Sequence, residues 1–335
     1  MVKRRTWIFI SFIIIFGCKD KTTKKYTDVP SKVKSAKQEF SIALSGKKLM
    51  ETQCYVCHSP TAPEKENRIG PPMIEIKANY IDKNTTKEEF INTMWDFVKE
   101  PTKNKTKLHQ AVDKYGVMPY QSFRKEDIDK IGEYMYEYEI EEPSWFEEYW
   151  KINNIAKNYI NSGKKILPSG KEYTTEDIGL KYALDTKKVL GKNLMGAIQK
   201  KGTLEALVFC NERAYPLTDS MANAYNVLIK RVSDKPRNPK NIANTSELDK
   251  INTYKKSLLN RINMNPIIEN KNGVDHFYYP IVTNSMCLQC HGEPKQNIKP
   301  EVLAEIKNLY PKDMAKGYKV NQLRGIWSIT FLQKE

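Results

Sequence analysis

Two five-residue motifs of the same pattern constrain this chain more than any other feature of its 335 residues. They read Cys54-Tyr55-Val56-Cys57-His58 and Cys287-Leu288-Gln289-Cys290-His291. On a helical turn, side chains three positions apart lie on the same face, so each motif presents two thiols together and places an imidazole next to them. The chain has six Cys and four His, so two such matches are improbable by chance.

C-x-x-C-H is the attachment signature of c-type haem. Both thiols can add to the porphyrin vinyl groups, and the next residue brings its imidazole to the iron. The motifs therefore predict two covalently attached haems c. The residues that would hold them are Cys54, Cys57 and His58 in the first motif and Cys287, Cys290 and His291 in the second. A zinc ion shared by the two Cys pairs, or a disulfide within each pair, would leave the repeated His unexplained.

The composition argues against a nucleic-acid partner. The net charge is +15, and Lys outnumbers Arg by 46 to 9, whereas base readout favours the Arg fork. The charge is also uneven, because residues 36–142 are slightly acidic. A hydrophobic fraction of 40% and this length predict about two globular domains rather than disorder.

The N-terminus predicts export. Basic residues precede an apolar run, Trp7–Phe16, that is too short to span a bilayer, which is typical of a secretory signal. The run Ile15-Phe16-Gly17-Cys18 resembles a bacterial lipobox, which implies removal of residues 1–17 and a lipid anchor on Cys18. An ordinary signal peptide with a chance Cys is the alternative. Residues 18–39 would form a Lys-rich tether at a membrane of the bacterial cell envelope, inner or outer, facing the periplasm or the cell surface.

Residues 40–142 resemble a class I cytochrome c. The resemblance rests on Gly70-Pro71-Pro72-Met73 after the first motif and on Gly116-Val117-Met118-Pro119-Tyr120 later in the segment. It implies an all-α domain in which the Pro71 carbonyl accepts the His58 N–H and Met118 is the distal iron ligand. It also implies a closing helix, Asp127–Tyr138, that crosses the first helix with Tyr134 over Gly46. Met73, Met94 and His109 are the alternative distal ligands.

Residues 143–170 are expected to form a linker, and the segment after them has an α+β pattern. Apolar spacing predicts helices over Glu176–Lys200 and Glu247–Ile262, the second with Ser246 as its cap and Asp249 completing a capping box. The predicted strands are Leu204–Asn211, Asn226–Ser233, Asp275–Asn284 and Gly325–Leu332.

Residues 171–335 resemble the PAS-like c-haem domain family. The resemblance is carried by Glu205–Asn211, Arg231–Ser233, Pro236–Pro239, Tyr279–Ile281, Cys287–Gly292, Tyr310–Asp313 and Gly325–Ser328. It implies an antiparallel sheet flanked by helices, one covalent haem, and a distal Cys ligand from the early strand. Cys210 occupies that place. His276 or an open sixth position are the alternatives, and Arg231 and Arg237 are candidate partners of the haem propionates because of their charge.

Two unlike haems on one tethered chain predict electron transfer between redox partner proteins of the envelope. Met ligation raises a haem potential and thiolate lowers it, so electrons would pass from the C-terminal haem, or an external donor, to the Met118 haem and onward. A haem-based redox or gas sensor, switched by displacement of the distal Cys, is the alternative hypothesis. An enzyme that uses an open haem is a third, but no acid–base pair or nucleophile triad stands out in the sequence, which favours a non-enzymatic carrier.

Overall fold

The helix that leads into the first motif begins the part of the chain that this computed structural model describes. The described residues are 45–64, 68–154, 158–165 and 174–332, and they belong to one compact unit, Phe40–Glu335. The predicted signal peptide 1–17, the anchor Cys18 and the tether up to residue 39 lie outside the described residues, as do Phe40 and Leu44 at the start of the predicted first domain.

In the N-terminal half, all the regular elements that the structure describes are helices. Its helices are α1 (45–53), α2 (Met73–Tyr80), α3 (Lys87–Lys99), α4 (His109–Tyr115), α5 (Lys125–Glu137) and α6 (Phe146–Asn153). The Thr86 side chain caps α3 by accepting a hydrogen bond from the Glu89 N–H. The buried side chains of α3 and α5, including Phe90, Ile131 and Met135, form one core with those of α1 and α2.

The crossing of α1 and α5 fixes the frame around the first motif. A Cβ added to Gly46 would lie 2.2 Å from the Lys130 carbonyl oxygen and 2.8 Å from Tyr134 Cβ. Only glycine lets the two backbones approach this closely. The contact predicted between Tyr134 and Gly46 is therefore present.

Part of the segment expected to be a linker packs into this first core. Phe146 and Trp150 of α6 are buried there, and Tyr159 packs against both rings. The Trp145 indole N–H donates to the Ala62 carbonyl at 2.7 Å, and the Arg68 guanidinium lies over the Trp145 ring at 4.6 Å. These aromatic side chains thus cover the loop that follows the first motif.

The C-terminal half combines helices with an antiparallel sheet. Its elements are α7 (Thr175–Tyr225), β1 (Val227–Val232), α8 (Thr245–Leu259), β2 (Ile267–Lys271), β3 (Val274–Val282), α9 (Leu288–His291), α10 (Pro300–Leu309) and β4 (Leu323–Phe331). The four strands are ordered β1-β4-β3-β2, and all neighbours are antiparallel. The 51-residue α7 breaks at Gly202, whose φ of 85° suits glycine. No described helix, α7 included, is apolar enough over sufficient length to cross a bilayer.

Helices cover both faces of the sheet. The first half of α7 packs Leu180 and Ala183 against Phe277 and Trp327, and a Cβ on Gly179 would come within 2.3 Å of the Phe277 ring. Tyr254 and Ile251 of α8 pack on the opposite face with Tyr278 and Ile326. The second half of α7 packs Leu207 against Val302 and Ile306 of α10. The fold is α+β, as the sequence predicts.

Two local predictions are wrong, and one strand of the structure had no prediction. Leu204–Asn211 is not a strand but part of α7, because its apolar residues pack on α10 at helical spacing. The cap of α8 is Asn244, paired with Glu247 in a capping box, instead of Ser246 with Asp249. Strand β2 was not predicted, since its alternation is masked by Glu269 and Asn270.

Candidate haem sites

The first motif forms a tight turn at the end of α1. The Cys57 and His58 N–H groups both donate to the Cys54 carbonyl, at 3.1 and 2.9 Å, which holds the thiols and the imidazole on one turn. His58 Nδ1 lies 2.6 Å from the Pro71 carbonyl oxygen, the contact that the resemblance to class I cytochromes c implies. A Cβ on Gly70 would lie 3.2 Å from the imidazole, so glycine lets this loop sit against the ring.

The surroundings keep the groups of the first motif neutral. Burial raises the pKa of the Cys54 thiol to about 12 and also raises that of Cys57, against a small opposing effect of Lys187. Burial lowers the pKa of His58, and its contact with Pro71 partly offsets that. All three side chains nevertheless keep part of their surface accessible, as expected of groups that line a crevice.

Met118 lies in the loop after α4. This helix ends at Gly116, whose φ is 79°, and Met118 follows in a partly buried position. Two of the alternative ligands have other surroundings: Met73 is buried at the start of α2, and Met94 is buried in α3 with its Cε 3.0 Å from a Cβ built on Gly132.

The third alternative, His109, is exposed at the first residue of α4. Among the four candidates for the first site, Met118 is thus the partly buried residue on a loop. Its assignment as the ligand stays a prediction.

The second motif sits on a turn that extends from the end of β3. The Asn284 side chain accepts the Cys287 N–H at 3.1 Å, and the His291 N–H donates to the Cys287 carbonyl at 2.9 Å. His291 Nδ1 lies 2.8 Å from the Ala315 carbonyl oxygen, which is the counterpart of the contact between His58 and Pro71. Burial together with the charge of Arg237 places the pKa of His291 well below its usual range.

Arg237 braces the backbone around His291. Its Nη2 donates to the Cys290 carbonyl at 2.5 Å and to the Ala315 carbonyl at 3.3 Å, and its Nε lies 3.2 Å from Asp313 Oδ1. The Ala315 carbonyl therefore receives both Arg237 and the imidazole. The structure thus gives Arg237 protein partners close to His291, and its role toward a propionate remains a prediction.

Cys210 lies beside the second motif although it is 80 residues earlier in the chain. Leu207, one turn before it, shares an apolar cluster with Cys290. Burial raises the pKa of the Cys210 thiol, while the guanidinium groups of Arg231 and Arg237 lower it. Burial also lowers the pKa of Arg231, and the nearby Cys210 opposes that shift.

His276 lies away from the second motif. It is near the beginning of β3, where its Nδ1 is 3.0 Å from Thr330 Oγ1, and the motif follows the other end of that strand. Six residues of strand separate His276 from Val282, which corresponds to roughly 20 Å. The structure thus brings Cys210 to the second motif and leaves His276 at the far end of the sheet.

Helix α7 contacts both motifs, whereas the sequence indicated only the approach of Cys210 to the second motif. The Lys188 ammonium donates to Ser59 Oγ at 2.6 Å, directly after His58. Beyond the break in α7, the Thr203 hydroxyl donates to the Gln289 side chain at 2.7 Å, inside the second motif.

Lys187 lies near both motifs. It is one turn before Gly191, where an added Cβ would lie 3.6 Å from Val56 Cγ1. Burial lowers the pKa of the Lys187 ammonium, and the nearby Cys57 and Cys287 oppose that shift. The Lys187 side chain is exposed to solvent, so it lies at the surface next to the two Cys pairs.

The residues of both motifs fit haem c. In each, the Nδ1 atom of the imidazole is held by a backbone carbonyl, which leaves Nε2 for an iron atom and fixes the orientation of the ring. Two thiols lie on the same turn. Nowhere in the described residues do three or more His, Cys, Asp or Glu side chains converge on a site for a bare metal ion.

The fold is α+β, and each of its two C-x-x-C-H turns carries an imidazole whose Nδ1 is held by a backbone carbonyl. The model of the Tll0287-like family matches residues 78–331, so the chain belongs to that family. The match includes the second motif and Cys210 and leaves out the first motif.

A search of solved structures finds the crystal structure of the cyanobacterial haem protein Tll0287. It is 21% identical and covers 49% of this chain and 99% of that one, with a TM-score of 0.37. No curated protein matches.

Proposed function

We propose that the protein is a di-haem c-type cytochrome that carries electrons between redox partners in the cell envelope. The observation that carries this proposal is the repeated geometry at the two motifs. His58 and His291 are both held through Nδ1 by a carbonyl, at 2.6 and 2.8 Å, next to two thiols on the same turn. The solved Tll0287 structure is itself that of a haem protein. Haem c supplies a one-electron iron couple at each site.

The side chains of this protein make the two sites unlike. Met118 is the distal ligand of the first site, where a thioether raises the reduction potential. Cys210 is the distal ligand of the second site, where a thiolate lowers it. Burial raises the pKa of the Cys210 thiol, and the guanidinium groups of Arg231 and Arg237 oppose that shift, so these two cations favour the thiolate form that binds iron. Electrons therefore run from the second site, or from an external donor, to the first.

We place the protein on a membrane of the bacterial envelope through lipidated Cys18. Residues 1–17 supply the export signal and 18–39 the tether. Labelling cells with a clickable fatty acid tests this: the label is expected on the unaltered protein and absent from a Cys18→Ala variant, whereas equal labelling of both would contradict it.

Spectropotentiometric titration of the full chain tests the electron-transfer function. We expect two one-electron steps, with the lower potential assigned to the second haem through the Cys210→Ala variant. A higher potential at the second haem would contradict the direction of transfer. Addition of CO to the ferrous protein tests the rival function: inertness of both haems supports electron transfer, and rapid binding at the second haem would favour a sensor.

A further inference from the structure

The loop that carries Met118 is connected to the second haem motif, not only to its own half of the chain. The Ser285 N–H donates to the Tyr120 carbonyl at 3.0 Å. Tyr120 is two residues after Met118, and Ser285 is two residues before Cys287. The hydrogen bond therefore joins the distal side of the first site to the attachment turn of the second.

This hydrogen bond is important because the loop of residues 117–120 forms few others. Within the described part of the chain, it is the only hydrogen bond that the backbone of residues 117–120 makes. The side chains of Val117 and Tyr120 are exposed, at 39% and 41%, and so contribute little packing. The backbone hydrogen bond that anchors residues 117–120 therefore comes from outside residues 40–142.

Ser285 is a suitable donor because its segment is rigid. Just before it, buried Thr283 donates through its hydroxyl to the Lys319 carbonyl at 2.6 Å and through its N–H to the Gln322 carbonyl at 2.9 Å. Asn284, directly before it, accepts the Cys287 N–H through its side chain, and on the other side the Ser285 carbonyl accepts the Leu288 N–H at 3.3 Å. The strand end and the motif therefore hold the Ser285 N–H in place from both sides.

We propose that Ser285 is a positioning residue for the first haem: its backbone N–H, presented by the attachment turn of the second haem, holds the loop that brings Met118 to the iron. The second site thereby completes the ligand set of the first. This inference rests on the proposed role of Met118. It implies that Met118 ligation at one haem and the order of the turn at the other are thermodynamically linked.

The test uses the full chain with both haems and a matched pair of variants. Ser285→Pro removes the N–H donor, whereas Ser285→Ala keeps it. Imidazole competes with Met118 for the first haem, and its binding is followed by loss of the charge-transfer band of Met-ligated ferric haem. Loss of one hydrogen bond makes Met118 easier to displace, so imidazole should bind about fivefold more tightly to Ser285→Pro and unchanged to Ser285→Ala.

Equal imidazole affinity in the Pro variant and the unaltered protein would overturn the inference and leave the Met118 assignment standing. Absence of the band in the unaltered protein would overturn both.

A measurement on the unaltered protein covers the case in which Ser285→Pro does not fold. Hydrogen exchange of the Ser285 amide should accelerate when imidazole displaces Met118, because the loop then releases its donor. An exchange rate that imidazole does not change would equally overturn the inference.

Discussion

The Lys188 ammonium lies 2.6 Å from the Ser59 hydroxyl, so the long helix of the C-terminal half is hydrogen-bonded to the residue that follows His58. The same ammonium is 2.8 Å from Thr61 Oγ1. Helix α7 thus contacts both motifs, and its Lys187 interacts electrostatically with both Cys57 and Cys287.

A cation close to both sites should raise both reduction potentials, because it favours the less positive ferrous state. We expect Lys187→Gln to lower both midpoint potentials by on the order of 50 mV, as loss of a nearby charge predicts. Spectropotentiometry of the full chain measures this. The matched control is Lys181→Gln on the same helix, whose side chain is exposed and paired with Asp185; it should leave both potentials in place. A shift at only one haem would contradict the shared position of Lys187.

Arg237 should tune the second site through the Ala315 carbonyl. Arg237→Gln leaves that carbonyl to His291 alone, which makes the imidazole a stronger donor to iron, and it also removes a positive charge. Both effects should lower the potential of the second haem, by on the order of 50 mV.

Removal of Arg237 also takes one partner from buried Asp313, so we expect a loss of about 3 kcal/mol in the free energy of unfolding. Denaturant unfolding measures it, with Arg261→Gln at an exposed position as control. An unchanged potential in Arg237→Gln would refute the tuning role, whatever happens to stability.

The crossing of α1 and α5 should not tolerate a side chain at Gly46. Gly46→Ala places a methyl group 2.2 Å from a backbone oxygen, so the helices must separate, at a cost of about 2 kcal/mol. Gly196→Ala is the control in α7, where an added Cβ meets nothing within 4 Å, and it should be neutral or stabilising. Equal stability of the two variants in urea unfolding would show that the crossing is not this close.

Lys77 should make stability depend on pH. Its side chain is 1% exposed and donates to the Tyr138 carbonyl at 2.7 Å, and burial lowers its pKa from 10.5 to about 8. Between these values the unfolded chain binds the proton that the folded chain lacks. The free energy of unfolding should therefore rise with pH from about 8 to 10.5, by about 3 kcal/mol.

The check is the difference between the unaltered protein and Lys77→Met over that pH range. The variant should lose this part of the pH dependence, whereas Lys83→Met, at an exposed position, should keep it. Parallel curves for the unaltered protein and Lys77→Met would contradict the low pKa of Lys77.

The local features of the fold could be predicted where a short pattern determines them. The spacing of Ile128, Ile131 and Tyr134 predicts α5, and small size at Gly46 predicts the helix crossing. The stretch from Leu204 to Asn211 was predicted wrongly, because a short apolar run with Val208 and Phe209 suits a strand and a buried helix equally. The neighbouring α10 decides between them, and the local sequence does not contain that information.

The hydrogen bonds that link the two halves of the chain near the motifs could not be predicted either, because they too depend on distant parts of the sequence. Tyr120 and Ser285 meet across 165 positions of sequence, and Lys188 reaches Ser59 across 129. Within its own segment, none of these four residues has a pattern that indicates such a contact. Only the packing of the C-terminal half against the first motif gives these residues a role.

The central claim is that one chain holds two haems with unlike distal ligands, Met118 and Cys210. Low-temperature EPR of the oxidised full-length protein tests it most directly. We predict two distinct low-spin signals, one altered by Met118→Ala alone and the other altered by Cys210→Ala alone. A single haem signal, or a spectrum that neither variant changes, would contradict the claim.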